Sequence, residues 1–394
     1  MTNIVLTRSK HKREIPLGLM VLKSYLDQTS HRSQIFDLSL ERNSPELLEE
    51  LILRDNIDFI GLSVGSITHK IDIELIKRLK KSTKAKIIIG GAFANTPRVF
   101  NEYVDYTILG RGEEKLLKLL DEYDGTKSKT PDHKIDIDLV NFQDYQSPKD
   151  YNGNREFPLY TSTGCKFRCI YCSIPQINRH RVWFKDSEII GREIDEIISK
   201  GISHLRFVDD LFGLDKNRTG LLLPQIKKAS RLQGVYTQLR VDCTTNELLK
   251  QMRDSGFSGI YFGIESGDET TLRRIGKPYT QQEVRRLLQC SRQLGFDITG
   301  AFTMGYPWET RENIQRTLCF ADEMRHQFNL RPSVYIVTPF AGTPLSKQIN
   351  PSAIKIKDYT LWDAKHAVMD TTHLKREEIQ EIYDNFRAGQ NERY

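Results

Sequence analysis

The chain has 394 residues, 38% apolar and 28% charged, with Lys+Arg 58 against Asp+Glu 52 and a formal charge of +6. That length predicts about two domains and that composition excludes a disordered chain; the small basic excess does not mark a nucleic-acid binder, and the sequence carries neither a zinc-finger nor an RNP-type aromatic motif. No run approaches the roughly 18 consecutive apolar residues of a membrane span, and the opening Met-Thr-Asn-Ile-Val-Leu has the order of a first strand rather than a signal peptide, so the expected location is cytoplasmic.

Residues 3–8 read as a first strand, 17–26 carry helical spacing, and 34–38 make a short second strand. A helix through Leu47, Leu48 and Leu51 precedes the apolar strand 59–64, and helical spacing returns at Ile71, Leu75, Ile76 and Leu79. Strands at 86–89 and 106–109 and a helix at 113–120 complete the set. Apolar strands alternating with helices imply an α/β, Rossmann-like domain over 1–120. Its parallel sheet is covered on both faces and its ligand edge lies at the carboxyl ends of the strands. The loops there carry Ser63 and Gly65 after one strand and Gly90 and Gly91 after the next. Small residues at both places permit close backbone approach to a bulky ligand, or simply serve tight strand-to-helix turns.

Residues 121–155, punctuated by Gly125, Pro131, Pro148 and Gly153, read as a linker in which 135–142 packs against a neighbour. From 156 to 345 the rhythm resumes, with strands at 159–162, 204–208, 235–240, 259–263, 297–302 and 333–337, which predicts a partial (β/α)6 barrel. Residues 346–394 form a C-terminal extension ending in a helical pattern over 375–386.

Of the 6 cysteines, Cys165, Cys169 and Cys172 share one short stretch, Cys165-Lys-Phe-Arg-Cys169-Ile-Tyr-Cys172, while Cys243, Cys290 and Cys319 are scattered. In a cytosolic chain this favours a metal site plus ordinary thiols over a disulfide framework. Three thiolates in one loop suit three irons of a cubane and leave a fourth iron without a protein ligand. The alternatives are zinc with a further ligand such as His180, or unrelated buried cysteines.

The stretch resembles the CxxxCxxC signature of the radical S-adenosylmethionine (SAM) superfamily, with Tyr171 as the aromatic before the last cysteine. The resemblance implies a [4Fe-4S] cluster on Cys165, Cys169 and Cys172. The open iron of that cluster takes the amino and carboxylate groups of SAM, and reductive cleavage yields a 5′-deoxyadenosyl radical. Downstream segments extend the match in order through residue 345. Phe207-Val-Asp-Asp-Leu-Phe212 places Asp209 or Asp210 to accept from the SAM ammonium, Asp209 being preferred, with a helix cap as the plain alternative. Arg240 of Gln-Leu-Arg-Val-Asp242 resembles the position that reaches the SAM carboxylate, against a rim salt bridge. Glu265 of Gly-Ile-Glu-Ser-Gly267 resembles the residue that contacts the SAM ribose or amino group. Met304-Gly-Tyr-Pro-Trp-Glu309 resembles the Gly-x-Pro-x-Glu loop in which Gly305 and Pro307 help cradle adenine, while Glu309 has a helix cap as its alternative role. Thr338-Pro-Phe-Ala-Gly-Thr-Pro344 resembles a segment of the cobalamin-associated members.

Residues 1–120 are in turn similar to the cobalamin-binding domain that precedes the barrel in that class B methyltransferase-like branch. The similarity is carried by Pro16–Leu19, Gly61-Leu-Ser-Val-Gly65, Ile89-Gly-Gly91 and Val104–Glu113. The Asp-x-His-x-x-Gly motif that supplies a lower cobalt ligand is absent, and His11 stands in the corresponding loop without that setting. The resemblance implies C-methylation of an unactivated carbon: the adenosyl radical removes hydrogen and methylcobalamin supplies the methyl group. A radical SAM cyclase, isomerase or epimerase without methyl transfer is the enzymatic alternative, and a metal-containing RNA-binding protein the alternative from another class. Any radical route requires a flavodoxin- or ferredoxin-type electron donor, and the substrate is an organic small molecule, a lipid or a peptide.

Overall fold

The computed structural model describes residues 1–10, 14–94, 96, 99, 100, 102–136, 138 and 156–391. They divide into two compact units, one made of Met1–Pro158 with Ile177–Arg179 and Glu188–Ser203, the other of Leu159–Gln176, His180–Ser187 and His204–Tyr394.

In the first unit, β1 (Asn3–Arg8), α1 (Leu17–Leu26), β2 (Arg32–Asp37), α2 (Pro45–Arg54) and β3 (Phe59–Ser63) follow one another as the periodicity predicts. Then come α3 (His69–Ser82), β4 (Lys86–Gly90), β5 (Tyr106–Thr107) and α4 (Glu113–Asp124). The sheet order is β2-β1-β3-β4-β5, and every neighbouring pair is parallel. Strand order therefore reverses between β1 and β3, which makes their carboxyl ends the switch point where ligands enter such sheets. The reason for the topology is visible in the strands: Ile4–Leu6, Phe59–Ile60 and Ile87–Ile89 are buried without alternation, so both sheet faces need helical cover. Leu19 and Leu26 of α1 and Leu116, Leu117 and Leu120 of α4 supply part of it, packing with Ile4, Leu6, Phe59 and Ile88. Each such side chain contributes about 1.5–3 kcal/mol by leaving water. Helix α4 runs to Asp124, into the stretch read as linker, and stops where Gly125 takes a left-handed φ of 69°. Ile135 is buried as expected, with its amide donating to Glu193 Oε1 at 2.7 Å; Phe142, Pro148 and Gly153, like His11, lie outside the described residues.

The barrel sequence begins with β6 (Glu156–Leu159), β7 (Ser162–Thr163), α5 (Ile174–Ile177), β8 (Trp183–Phe184), α6 (Ser187–Ser199) and β9 (His204–Phe207). It continues with α7 (Lys216–Ile226), β10 (Gly234–Arg240), α8 (Asn246–Asp254), β11 (Gly259–Glu265), α9 (Glu269–Ile275) and α10 (Gln281–Gln293). The last elements are β12 (Asp297–Met304), α11 (Arg311–Phe328), β13 (Arg331–Ile336), α12 (Pro344–Gln348) and α13 (Arg376–Asn391). Six strands form one sheet in the order β13-β12-β11-β10-β9-β6, parallel from β9 through β13, which is the sequential order of a partial βα barrel. The first strand differs from expectation. It ends at Leu159, and Ser162–Thr163 leaves the sheet to pair antiparallel with Trp183–Phe184. The physical reason is Asp209, which captures the amide and hydroxyl of Thr161 and the hydroxyl of Ser162. Phe207, Phe212 and Phe257 pack together at ring separations of 5.3–5.7 Å beneath this region.

Candidate active site

The loop after β7 carries the three cysteines, all free thiols, with Cys169 buried and Cys165 and Cys172 half-buried. Gly164 makes the turn into it at φ 90°, and a Cβ there would stand 2.0 Å from the Arg181 carbonyl oxygen, so only glycine fits. The loop is pinned at its centre, where the Ile170 amide donates to Ile275 O and the Ile170 carbonyl accepts from Leu345. Burial pushes the Cys172 thiol up to about 12 and raises Cys165 as well, the neighbouring cysteines adding to the effect. Such thiols ionise only beside a cation, which suits ligation of iron. Among the described residues, the only group of three or more His, Cys, Asp or Glu with its ligand atoms all within 4.8 Å of one another is Asp136, Asp138 and Glu196. The three sulfurs therefore do not converge on one zinc, whose bonds of about 2.3 Å would gather them. His180, the further zinc ligand considered, is exposed. A cubane, which spreads its ligands over several metal atoms, fits the donor set.

Arg240 ends β10 and is 5% exposed. Its Nε and Nη2 donate to the two carboxylate oxygens of Asp242 at 2.6 and 3.0 Å, and Nη2 also donates to Gly276 O at 2.8 Å. The guanidinium lies 4.0 Å from the ring centroid of Phe167, inside the cysteine loop, and Nη1 donates to Cys169 Sγ at 2.8 Å. Arg240 is thus a buried guanidinium that joins an exposed carboxylate on one side to the cysteine loop on the other.

The two aspartates after β9 part ways. Asp209 is fully buried; besides the bonds at Thr161 and Ser162, its main-chain carbonyl accepts from the Gln238 side chain. It shapes the loop that leads to the cysteines and does not cap a helix. Asp210 accepts from the Gly164 amide at 2.6 Å through Oδ2 alone, and burial raises its carboxyl. The sequence preference for Asp209 as the SAM contact thus meets a side chain already committed, while Asp210 keeps an oxygen available.

Glu265 ends β11 at a bulge, with a left-handed φ of 66° that a non-glycine residue adopts at a cost of about 1–3 kcal/mol. Its oxygens accept from Lys277 Nζ at 2.7 Å and Thr303 Oγ1 at 2.9 Å. Burial alone would raise its carboxyl, but the Lys277 ammonium and the hydroxyls of Tyr171 and Thr303 hold it below the ordinary value. Tyr171 is raised in turn, by burial first and then by the Glu265 charge. Lys277 escaped the sequence reading because nothing in Gly276-Lys-Pro-Tyr279 announces that this chain returns to β11. In the next loop, Glu309 Oε2 accepts from the amides of Gly305 and Tyr306 at 2.8 and 3.0 Å, and the Pro307 carbonyl accepts from Thr372. These groups brace the loop from within. Thr310, with Asn313, caps α11 in the role considered for Glu309.

At the carboxyl edge of the first unit, Ser63 and Gly91 are exposed and Gly65 and Gly90 half-buried, so the covered strands end in small, reachable residues. Ile67 and Ile71 beside them are 44% and 47% exposed, leaving apolar surface next to that edge. Such a floor fits the broad face of a corrin. Gly91 has a second, internal reason: at φ 95° its Cβ would meet Val64 O at 3.0 Å. Asp72, missed in the sequence, is fully buried behind this loop; its Oδ2 accepts from Thr68 Oγ1 at 2.8 Å and from the Gly65 amide at 3.3 Å. Burial pushes its carboxyl up to about 6.

A family model for the radical SAM superfamily matches residues 159–321, and one for the B12 binding domain matches residues 4–120. An uncharacterised methyltransferase of Pyrococcus horikoshii is 25% identical over 93% of this chain and 85% of its own. Bacteriochlorophyllide d C-8(2)-methyltransferase of Chlorobaculum tepidum is 22% identical over 79% of this chain and 73% of its own. Among solved structures, the radical SAM methyltransferase TsrM of Kitasatospora setae, with cobalamin and a [4Fe-4S] cluster bound, superposes with a TM-score of 0.75 at 18% identity, covering 90% of this chain and 79% of that one. At that identity the likeness is one of fold. Matched in chain order, the two models cover the five-stranded switch-point sheet and then the three-thiol loop: this protein carries a B12-binding domain followed by a domain of the radical SAM superfamily.

Proposed function

We propose that this protein is a cobalamin-dependent radical SAM methyltransferase that acts on a carbon atom. The observation that carries the reading is the union, in one chain, of the Cys165-Cys169-Cys172 loop with a switch-point sheet matched by the B12 binding domain model. When bound, the cluster and SAM supply a 5′-deoxyadenosyl radical and cobalamin supplies a methyl group, so a C–H carbon that is neither acidic nor nucleophilic becomes reactive.

The chain's own residues hold and orient these groups. Cys165, Cys169 and Cys172 ligate iron. Asp210 accepts from the SAM ammonium, held in place through Gly164. Glu265, kept ionised by Lys277, accepts from SAM hydroxyl or amino groups. Gly305 and Pro307, held by Glu309 and Thr372, shape the wall on the adenine side. Ser63, Gly65, Gly90 and Gly91 form the floor under the corrin. The paired hydroxyls of Tyr261 and Tyr335, 3.1 Å apart on the sheet, supply polar contacts for an organic substrate. A flavodoxin- or ferredoxin-type protein delivers the electron. No helix among the described residues is long and apolar enough to cross a membrane.

The test is anaerobic reconstitution followed by assay of iron, sulfide and corrinoid, then product analysis with SAM and methylcobalamin. The expected products are 5′-deoxyadenosine, S-adenosylhomocysteine and a substrate heavier by one CH2 unit. Incorporation of iron and sulfide without corrinoid overturns the methyltransferase reading. Deoxyadenosine without S-adenosylhomocysteine selects a cyclase, isomerase or epimerase instead.

A further inference from the structure

The placement of Arg240 suits a task other than gripping a carboxylate. A guanidinium holds a carboxylate by presenting two N–H groups along one edge. The Nε–Nη2 edge of Arg240 is occupied by Asp242, at 2.6 and 3.0 Å. The Nη1–Nη2 edge is divided, with Nη2 donating to Gly276 O at 2.8 Å and Nη1 donating to Cys169 Sγ at 2.8 Å. Neither edge remains whole for the carboxylate of SAM. Asp242 and Gly276 fix the plane of the guanidinium from outside the cysteine loop, and the Phe167 ring of that loop lies against it, so the Nη1–Sγ contact follows from the fold around it.

We propose that Arg240 is a positioning residue for the cluster, donating a charge-assisted hydrogen bond to the Cys169 thiolate and raising the cluster's reduction potential. The inference rests on the reading of Cys165, Cys169 and Cys172 as cluster ligands. Its physical basis is that the reduced cluster carries one more negative charge than the oxidised one. An N–H aimed at a ligating sulfur stabilises that added charge, and hydrogen bonding to sulfur is among the levers that set such potentials. The Asp242 carboxylate offsets part of the long-range field of the guanidinium, which leaves the directed N–H···S contact as the distinguishing contribution. Burial of Arg240 to 5% exposure and the Phe167 ring over it keep water from screening that contact. Easier reduction matters because the electron must first enter the cluster before it can reach SAM.

The experiment is a potentiometric titration of the reconstituted full-length protein without SAM, followed by electron paramagnetic resonance, for wild type, Arg240→Gln and Arg240→Lys. SAM affinity is measured in parallel by equilibrium binding. Arg240→Gln is expected to lower the midpoint by about 59 mV, a tenfold change in a one-electron equilibrium, with SAM affinity unchanged. Arg240→Lys, which keeps the charge but loses the fork, is expected to shift the midpoint in the same direction by less. If the Gln variant fails to hold a cluster, the Lys variant decides. An unshifted midpoint with weakened SAM binding overturns the proposal and assigns Arg240 to the SAM carboxylate; an unshifted midpoint with unchanged binding overturns it in favour of a purely structural role. Wild-type protein that never takes up iron refutes the underlying cluster reading, and so separates that failure from this one.

Discussion

At the carboxyl ends of β9 to β12 the chain concentrates charge, whereas at the carboxyl ends of β3 and β4 it presents small and apolar residues. The barrel edge buries Asp209, Arg240, Glu265 and Glu309, each engaged by named partners at hydrogen-bond distance. The edge of the N-terminal sheet shows Ser63, Gly65, Gly90 and Gly91, flanked by exposed Ile67 and Ile71, with Asp72 set behind the Gly65 loop. The difference teaches what each ligand demands. A compact ionic group such as a thiolate-ligated cluster with SAM needs fixed charges to replace its hydration, and those charges need partners of their own. A broad, largely apolar macrocycle needs room and backbone access, which small residues give at little electrostatic cost.

If the two edges are separate devices, the largest effect comes from removing one cluster ligand. Cys172→Ala should abolish iron and sulfide incorporation and the broad visible absorbance at ~400 nm expected of such a cluster, while corrinoid uptake by the same full-length chain persists. Joint loss of iron and corrinoid would break the comparison.

A second, intermediate effect sharpens it, because each edge holds one buried carboxyl pushed up by burial: Asp72 to about 6 and Glu309 to about 7. In the unfolded chain both lose their protons near pH 4. Between there and the raised values the folded chain binds more protons than the unfolded one, so stability falls as pH rises through about 6 and 7. Each site accounts for on the order of 3 kcal/mol of stability that is present at low pH and lost at neutrality. Asp72→Asn and Glu309→Gln keep an accepting oxygen and should each flatten their part of that decline, read by chemical denaturation from pH 4.5 to 8. A slope unchanged in both variants would mean that neither carboxyl holds its proton.

The smallest effect concerns the two aspartates after β9. Asp210→Asn retains an acceptor for the Gly164 amide but removes the charge offered to SAM. It should weaken SAM binding by about tenfold, ~1.4 kcal/mol, with the melting temperature unchanged. Full SAM affinity in that variant would return the role to Asp209 or to neither.

Much of this architecture was legible because it depends on local pattern. The strands 3–8, 59–64 and 86–89 announce themselves by short apolar stretches such as Ile4–Leu6 and Ile87–Ile89, and the structure places β1, β3 and β4 within a residue of them. The first barrel strand was less legible. Leu159-Tyr-Thr-Ser162 is as strand-like as its neighbours, yet Asp209, far along the chain, draws Thr161 and Ser162 out of the sheet. Glu265 stands at the strand end that its motif indicates; its partner Lys277 was not legible, since only the fold returns that lysine to β11.

The sequence by itself determined the class of chemistry, because a three-cysteine loop is a local device: its thiols lie close together along the chain and need little else to reach one cluster. It also determined the βα alternation, since hydrophobic period is read residue by residue. Only the tertiary structure decided which charged groups are closed within the protein and which keep an atom open. Asp209 and Asp210 are adjacent and identical in type, yet one is closed within the hydroxyls of Thr161 and Ser162 while the other keeps an open oxygen. Arg240 carries the same motif whether it faces SAM or sulfur; Asp242, Gly276 and Phe167 together fix its direction. Part of each arrangement rests on contacts distant in sequence, Asp209 with Thr161 and Arg240 with Gly276, which no local pattern encodes.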